Sequence, residues 1–400
     1  MDHIFADLRV IDAASFLAGP GAGTVMADYG ADVIKIEPLQ GDGYRTLKGN
    51  YPVDYNWQLT SRNKRSIALN LDSDDGREVL GKLLVDADVL LVNFIGEQLT
   101  RFGLDYEDVK RDNPRLIYAH LTGYGSAGPD AMKRAFDSTA WWARTGMMDL
   151  VRDPGQAPIM GVPGFGDHSS AMSLFGAIML GLYRRERTGQ GSYVSTSLVA
   201  NGVWANGMQL QGVIAGFDLG EKRQQQGWSN PFTSVYGSSD ERFVLLTVIN
   251  PGREWPQLCK ALGREEWLED ERFADMRTLF RNRLELIEMI RAITASLSLD
   301  ELTDRLDAHD ITYGVVSQMS EVVTDPHLRA NDIIVATESD DESYPVTIAS
   351  PITVAEEPKR SAGPAPEIGE HSSEILAELG MREEDIAALI ATGVVGQHSA

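Results

Sequence analysis

Asp167 closes the run Gly161-Val-Pro-Gly-Phe-Gly-Asp167-His-Ser-Ser, directly before an apolar pattern over 171–187. Glycines at 161, 164 and 166 let the backbone turn sharply and approach a ligand closely. An aspartate that ends such a loop and opens a helix is either a structural N-cap or a displayed carboxylate nucleophile. The residue by itself leaves both open. His168, its neighbour, invites a Ser-His-Asp or metal reading. Yet the seven histidines, at 3, 120, 168, 309, 327, 371 and 398, form no HxxH or HExxH spacing, and no Gly-x-Ser-x-Gly elbow occurs. Serine hydrolysis and metal catalysis are set aside, and no metal is expected.

A second glycine-rich turn, Ala18-Gly-Pro-Gly-Ala-Gly23, follows the first strand-like run, and Glu37 closes the second. A nicotinamide site is one reading, but the third position of a GxGxxG pattern is Met26 and Pro20 alters the turn. A helix start that faces a phosphate or carboxylate needs no such fingerprint, and a tight β–α turn with no ligand is the third possibility. Ser61-Arg-Asn-Lys-Arg65 is either a phosphate counter-site or solvated surface. Arg101 stands one helical turn beyond Asn93-Phe-Ile-Gly96, and Arg134 is a further candidate cation. Asp137, in Phe136-Asp-Ser-Thr-Ala140, reads as the cap of a helix carrying Trp141 and Trp142. Those indoles are packing or the wall of an acyl pocket.

These residues need a frame. Runs over 8–13, 32–37, 66–71, 88–94 and 116–121 read as strands, with helices or turns over 21–29, 74–84 and 106–110 between them. The alternation calls for βαβ units on a parallel sheet. A loop-rich stretch follows over 122–170, then the helix over 171–187 with a stop at Gly189-Gln-Gly191, and a strand running into a helix over 193–209. Periodicity breaks at 214–229. A hairpin turns over 237–241, and helices over 253–262, 265–273, 281–295 and 299–308 complete a smaller α+β domain over 230–325. Apolar alternation returns over 346–354, a Pro/Gly-rich linker spans 361–370, and short helices cover 372–379 and 383–392. The tail, 394–400, is expected to fray. The division expected is 1–215, 230–325 and 340–400, the last returning to the first.

The chain has 400 residues and a net charge of -23, a field that disfavours nucleic acid and anionic membranes as partners. The single cysteine, Cys259, excludes internal disulfides, suits a cytoplasmic location and reads as buried core. No signal peptide is recognisable at the start, and no run is long and apolar enough to span a membrane.

A set of ordered segments adds to this reading. They are Arg9-Val-Ile-Asp-Ala with Ala18-Gly-Pro20; Met26-Ala-Asp-Tyr-Gly-Ala-Asp-Val-Ile-Lys-Ile-Glu-Pro38 with Gly41-Asp42 and Arg45; Asn63-Lys-Arg-Ser-Ile-Ala-Leu69; and Ala87-Asp-Val with Asn93-Phe94. Pro114-Arg-Leu-Ile-Tyr, Gly123-Tyr-Gly-Ser-Ala-Gly-Pro129, Arg187-Thr-Gly-Gln-Gly191 and Gly369-Glu-His-Ser372 follow. In this order the chain resembles the family III CoA-transferases, the group that includes formyl-CoA transferase, carnitine CoA-transferase and the acyl-CoA racemases.

The resemblance implies that Asp167 is the nucleophile, that acyl-CoA is a substrate with no tightly bound cofactor, and that a carboxylic acid accepts the CoA. It also implies a Rossmann-like α/β large domain, a smaller α+β domain and an obligate, interlocked homodimer. Gly161, Gly164 and Gly166 would support an oxyanion site. Phe16, Leu17 and Ala18 would lie along pantetheine and pyrophosphate. Leu69, Asn70, Leu71 and Asp72 with Asn93, Phe94 and Ile95 would line the adenine and ribose side, and Arg101 and Arg134 would face phosphate. Trp141 or Trp142, with Arg144 and His168, would shape a pocket for an acid larger than formate. Two departures stand out: Pro38 replaces an arginine of formyl-CoA transferase, and Ile95-Gly96 replaces a Pro-Gly turn. Phe136 stands where a racemase base is expected, which argues against racemisation.

Overall fold

Six short runs, largely apolar except for the Ser/Thr-rich last, become parallel strands: β1 (Arg9–Asp12), β2 (Asp32–Glu37), β3 (Arg65–Leu69), β4 (Val89–Val92), β5 (Ile117–Thr122) and β6 (Ser192–Ser197). Their order is 3-2-1-4-5-6, that of a doubly wound sheet, with the direction of winding reversing between β1 and β4. Both faces of such a sheet are covered, so central strands such as β4 and β5 are buried without alternation, whereas the edge strand β6 alternates. The computed structural model describes residues 3–153, 155–217, 229–339 and 341–398.

The helices are α1 (Ala18–Asp28), α2 (Tyr55–Ser61), α3 (Asp74–Val85), α4 (Glu97–Arg101), α5 (Tyr106–Asp112), α6 (Met147–Leu150), α7 (Phe165–Thr188), α8 (Leu198–Ala205) and α9 (Gly207–Ile214). Val10, Val33, Leu91 and Ile117 turn one face of the sheet toward α1 and α7. Ile11, Ile34, Leu90 and Tyr118 turn the other toward α3 and the helix Ser372–Glu378.

The sheet is mixed rather than purely parallel, because Val395–Gly396 pairs antiparallel with Leu69 and Ala68 of β3. The tail is therefore ordered over 394–398, contrary to the expected fraying; 399–400 lie outside the described residues. The reason is the open edge of β3, whose unpaired backbone groups gain partners there. Ser372 reinforces the pairing, its hydroxyl accepting from the Ala68 N–H and donating to the Gly396 carbonyl.

The expected linker over 361–370 is also tied down. Trp57 Nε1 and Arg45 Nη2 both donate to the Pro366 carbonyl, at 2.9 and 2.8 Å. A buried Arg62 pairs with Asp28 through both Nε and Nη2, at 2.9 and 2.7 Å, and also donates to the Ile348 carbonyl.

The chain forms two compact units, Met1–Ile214 with Pro326–Ala400, and Ala215–Asp325. In the second, Val235–Gly237, Phe243–Leu246 and Tyr313–Val315 make an antiparallel sheet. Helices Pro251–Ala261, Arg283–Thr294 and Leu299–Ala308 cover it, whereas only Glu265–Leu268 of the expected helix over 265–273 is helical, as a 3₁₀ turn. Cys259 is fully buried there, and burial pushes its thiol up to about 12. The periodicity break at 214–229 falls largely on 218–228, outside the described residues. A separate pair, Ile334–Ala336 with Val346–Ile348, accounts for part of the late apolar alternation in the first unit.

Candidate active site

Ligands of doubly wound sheets gather outside the carboxyl ends of the strands where the winding reverses. Here those ends belong to β1 and β4, and their loops are clamped together. Ser15 donates its N–H to Asn93 Oδ1, and Asn93 Nδ2 donates back to the Ser15 carbonyl, both at 2.9 Å. The next residue, Phe16, has a φ of 65°, a left-handed conformation costly for a bulky side chain. Its N–H is held by Asp42 Oδ1 at 3.2 Å, and Asp42 is itself paired with a buried Lys35 at 3.1 Å.

The nucleophile candidate arrives from the far side of this loop. Helix α7 starts at Phe165, not near 171, and its N-cap is Gly164 at a φ of 89°. Asp167 is thus inside the first turn, and the N-cap reading is corrected: glycine makes the left-handed entry and leaves the carboxylate free. That carboxylate has no hydrogen-bond partner among the described residues. The N–H groups of Phe165, Gly166 and Asp167 precede the first i−4 carbonyl of the helix and find no acceptor among the described residues.

Asp137 completes the geometry. It opens a short π-helix, Asp137–Ala143, is buried, and accepts the Gly164 N–H on Oδ2 at 2.7 Å. Burial, and then the charge of Asp137, push the Asp167 carboxyl up to about 7. A helix N-terminus favours the anion, but here desolvation and the second carboxylate outweigh it.

The glycines of the loop have packing duties. A Cβ on Gly161 would stand 2.3 Å from the Trp142 ring, and one on Gly166 would stand 2.6 Å from Trp141 Cγ. Each glycine leaves a face for one indole, so both rings are buried, 5.0 Å apart, rather than one facing a pocket and the other not. Trp142 Nε1 donates to the Val162 carbonyl at 3.2 Å. Of the three glycines, Gly164 has its N–H committed to Asp137.

The other sequence candidates are distributed as follows. Leu17 precedes α1 and Ala18 begins it, and Leu17 Cδ1 lies 3.6 Å from where a Gly164 Cβ would stand. Leu69 is core, with its side chain 1% exposed. Asn70, Leu71 and Asp72 follow it in a turn, in which the Asn70 carbonyl accepts from Ser73 and Asn70 Oδ1 from the Asp72 N–H. Arg101 is brought onto Asp72 as an exposed ion pair. Phe94 stacks edge-on against Phe102, and its carbonyl meets His120 Nε2 at 3.0 Å, next to a half-buried Ile95. Arg134 and His168 are exposed, and Arg144 is paired with Asp130 at 3.0 Å.

Two residues near the head of α7, Asp137 and Tyr44, which packs on Leu17, were given no chemical role in the sequence. Asp137 reads there as an ordinary cap, and no spacing rule links it to Asp167. Tyr44 lies beside the Gly41-Asp42 and Arg45 segment but carries no motif of its own.

Free N–H donors at the head of α7, a half-buried carboxyl pushed up to about 7 and the adjoining switch-point loop of a doubly wound sheet suit an α/β enzyme of acyl chemistry. Comparison with known proteins gives the family: the model of CoA-transferase family III matches residues 5–372. The chain is 30% identical over 385 residues to the (R)-2-hydroxy-4-methylpentanoate CoA-transferase of Clostridioides difficile, covering 95% of this chain and 96% of that one. It is 31% identical over 395 residues to the cinnamoyl-CoA:phenyllactate CoA-transferase of Clostridium sporogenes, covering 97% and 96%. A solved CAIB/BAIF family protein from Brucella suis superposes with a TM-score of 0.83 at 28% identity, over 95% of this chain and all of that one. The chain belongs to CoA-transferase family III. It is an acyl-CoA:carboxylate CoA-transferase, for which CoA is a substrate rather than a resident group.

Proposed function

We propose that Asp167 carries the covalent intermediate of CoA transfer between an acyl-CoA and a carboxylic acid. The observation that carries this is the half-buried, unpartnered carboxyl at about 7, next to the free N–H groups that open α7. A basic carboxylate is the better nucleophile.

Asp167 attacks the thioester carbonyl, the C–S bond breaks, and a mixed anhydride and CoA thiolate result. The thiolate attacks the aspartyl carbonyl, releasing the donor acid and leaving an aspartyl-CoA thioester. The acceptor carboxylate attacks that thioester to give a second anhydride. Thiolate then takes the acceptor's acyl group and frees Asp167. Thioester energy is conserved, with no call on ATP or metal. Each tetrahedral oxyanion has the N–H groups of Phe165, Gly166 and Asp167 for donors.

In this reading the switch-point loops, with Phe16, Leu17, Ala18 and Asn93, take the pantetheine and pyrophosphate. The turn of Asn70 and Asp72 and the loop of Phe94 and Ile95 take the nucleoside, with Arg101 and Arg134 at phosphate. The acid is larger than formate, of the branched, aromatic or succinyl kind. Acids of the first two kinds are named for the Clostridioides and Clostridium relatives. The exposed aromatic side chains Phe16 and Phe136, with ring centroids 5.5 Å apart, support it.

We further read the two compact units as a large CoA-binding, catalytic domain and a smaller α+β domain, in an obligate interlocked homodimer in the cytoplasm, without nucleic-acid or membrane partners. Exposed apolar residues on α8 and α9 support the dimer: Trp204 is 88% and Met208 80% exposed.

Incubation with a panel of acyl-CoAs, followed by peptide mass spectrometry, tests the chemistry. An acyl or CoA adduct is expected on the Asp167 peptide, and none in Asp167→Ala, whose turnover should vanish. Undiminished turnover in that variant would sink the assignment.

A further inference from the structure

Tyr44 is a buried aromatic whose polar end has no task within the protein. Its ring packs with Leu17, Trp57 and Ala365 and is 7% exposed. Its hydroxyl has no hydrogen-bond partner among the described residues and is open to solvent. A phenol whose ring is packed and whose hydroxyl is open and unengaged is placed to donate to a ligand.

The surroundings say which. Asp42 Oδ1 accepts from the N–H groups of both Tyr44 and Phe16, at 2.9 and 3.2 Å, and so joins the Tyr44 turn to the switch-point loop. The Tyr44 ring meets Phe16 edge-on at 6.2 Å, and Phe16 meets Phe136 at 5.5 Å. Phe136 precedes Asp137, the carboxylate that holds Gly164 at the head of α7. Leu17, packed on Tyr44, reaches to within 3.6 Å of the Gly164 Cβ position. Tyr44 is thus packed on the residues that adjoin the head of α7, which carries Asp167.

Burial, and then the charge of Asp167 ahead of Asp54, Tyr55 and Asp137, push the phenol up to about 12. It stays protonated throughout the physiological range and is an obligate donor toward any anion. Arg45, one residue away, is held by Glu37 through Nε and Nη2, at 2.8 and 2.9 Å, and lies over the Trp57 ring at 3.8 Å. An anionic acid approaching two carboxylates needs a donor that is not already engaged.

We propose that Tyr44 is a catalytic residue that donates its O–H to the carboxylate of the acid exchanging at Asp167. It lowers the cost of bringing that anion beside the aspartates. This assignment rests on the CoA-transfer reading above, but its contact can be measured separately.

The protein labelled with [13Cζ]tyrosine is titrated with phenyllactate in the presence of CoA, and the Tyr44 resonance is assigned as the one missing from Tyr44→Phe. That resonance is expected to move, while the other tyrosines stay in place. Tyr44→Phe, which keeps the ring packing, is expected to lower kcat/KM for phenyllactate by about 10-fold or more, chiefly through KM, the scale of losing a hydrogen bond to a charged group, with an unchanged circular dichroism spectrum. An unmoved resonance, or a kcat/KM for phenyllactate within about threefold of the parent, overturns the proposal. A resonance that moves in a protein with no transfer to any acid supports the Tyr44 contact and removes the CoA-transfer reading instead.

Discussion

Asp167 and Asp137 share a small volume around Gly164, and the effects on the two roles of Asp167 have opposite signs. Burial and Asp137 raise its carboxyl to about 7, well above the value of about 3.9 for an unfolded aspartate. The ionised form is the nucleophile, so kcat/KM for a fixed acyl-CoA is expected to rise with pH and level off above about 7. A profile flat between pH 5 and 8, about a pH unit or more either side, would speak against an Asp167 that titrates there. For stability the sign reverses. The folded state holds this proton more tightly than the unfolded chain, so the group's contribution is full below about pH 4 and is lost as pH rises through 7. Asp167→Asn removes that loss. Its melting temperature is expected to exceed the parent's at pH 8 by roughly 2–4 °C and to match it near pH 4, by calorimetry at both values. Asp167 was visible in the sequence because glycines frame it. Asp137 was not, since only the fold brings a residue from the π-helix onto Gly164.

At the level of elements, the start of α7 decides the geometry, and glycine decides the start. Gly164 takes the left-handed entry, and Gly166 leaves room for Trp141. Gly166→Ala would put a Cβ 2.6 Å from Trp141 Cγ and 2.9 Å from Asp137 Cβ, contacts that real structures do not tolerate. It is expected to destabilise the protein by about 1–3 kcal/mol, read by urea denaturation, and to lower turnover by displacing Asp167. A variant as stable and active as the parent would show that the N-terminus of α7 is not set by this packing. Apolar periodicity located the body of the helix over 171–187 but not its first turn, where Phe165, Gly166 and Asp167 have no periodic signal. The paired indoles illustrate the same limit. Regular helical geometry turns adjacent residues about 100° apart, whereas the π-helix and two facing glycines bury both Trp141 and Trp142.

At the scale of the whole molecule, the chain's end is sewn back onto its beginning. Arg62 pairs with Asp28 out of solvent and reaches the Ile348 carbonyl. Arg62→Ala strands a buried carboxylate and is expected to cost about 3–5 kcal/mol, visible as a lower urea midpoint. Little change would mean that the return segment is held by other contacts. The proposed dimer has its own test. Trp204→Asp, at a position 88% exposed in the single chain, should convert a dimer to smaller or aggregated species in sedimentation velocity if that face is covered in solution. A parent that sediments as a folded monomer at micromolar concentration would remove the interlocked arrangement.

The alternation of β-branched runs with helical patterns was enough to read the parallel α/β sheet. The order of segments from Arg9 to Ser372 was enough to read the family, because both are written locally along the chain. Local signals also exposed Asp167 as a candidate, while Phe16 and Asn93 came from the family resemblance. The tertiary structure alone decided that Val395–Gly396 closes the β3 edge, that Arg144 is spent on Asp130 and Arg101 on Asp72, and that Tyr44 packs on Leu17 beside the head of α7. Each of these depends on residues far apart in sequence competing for one partner. Burial and hydrogen bonding settle that competition only when the whole chain is packed.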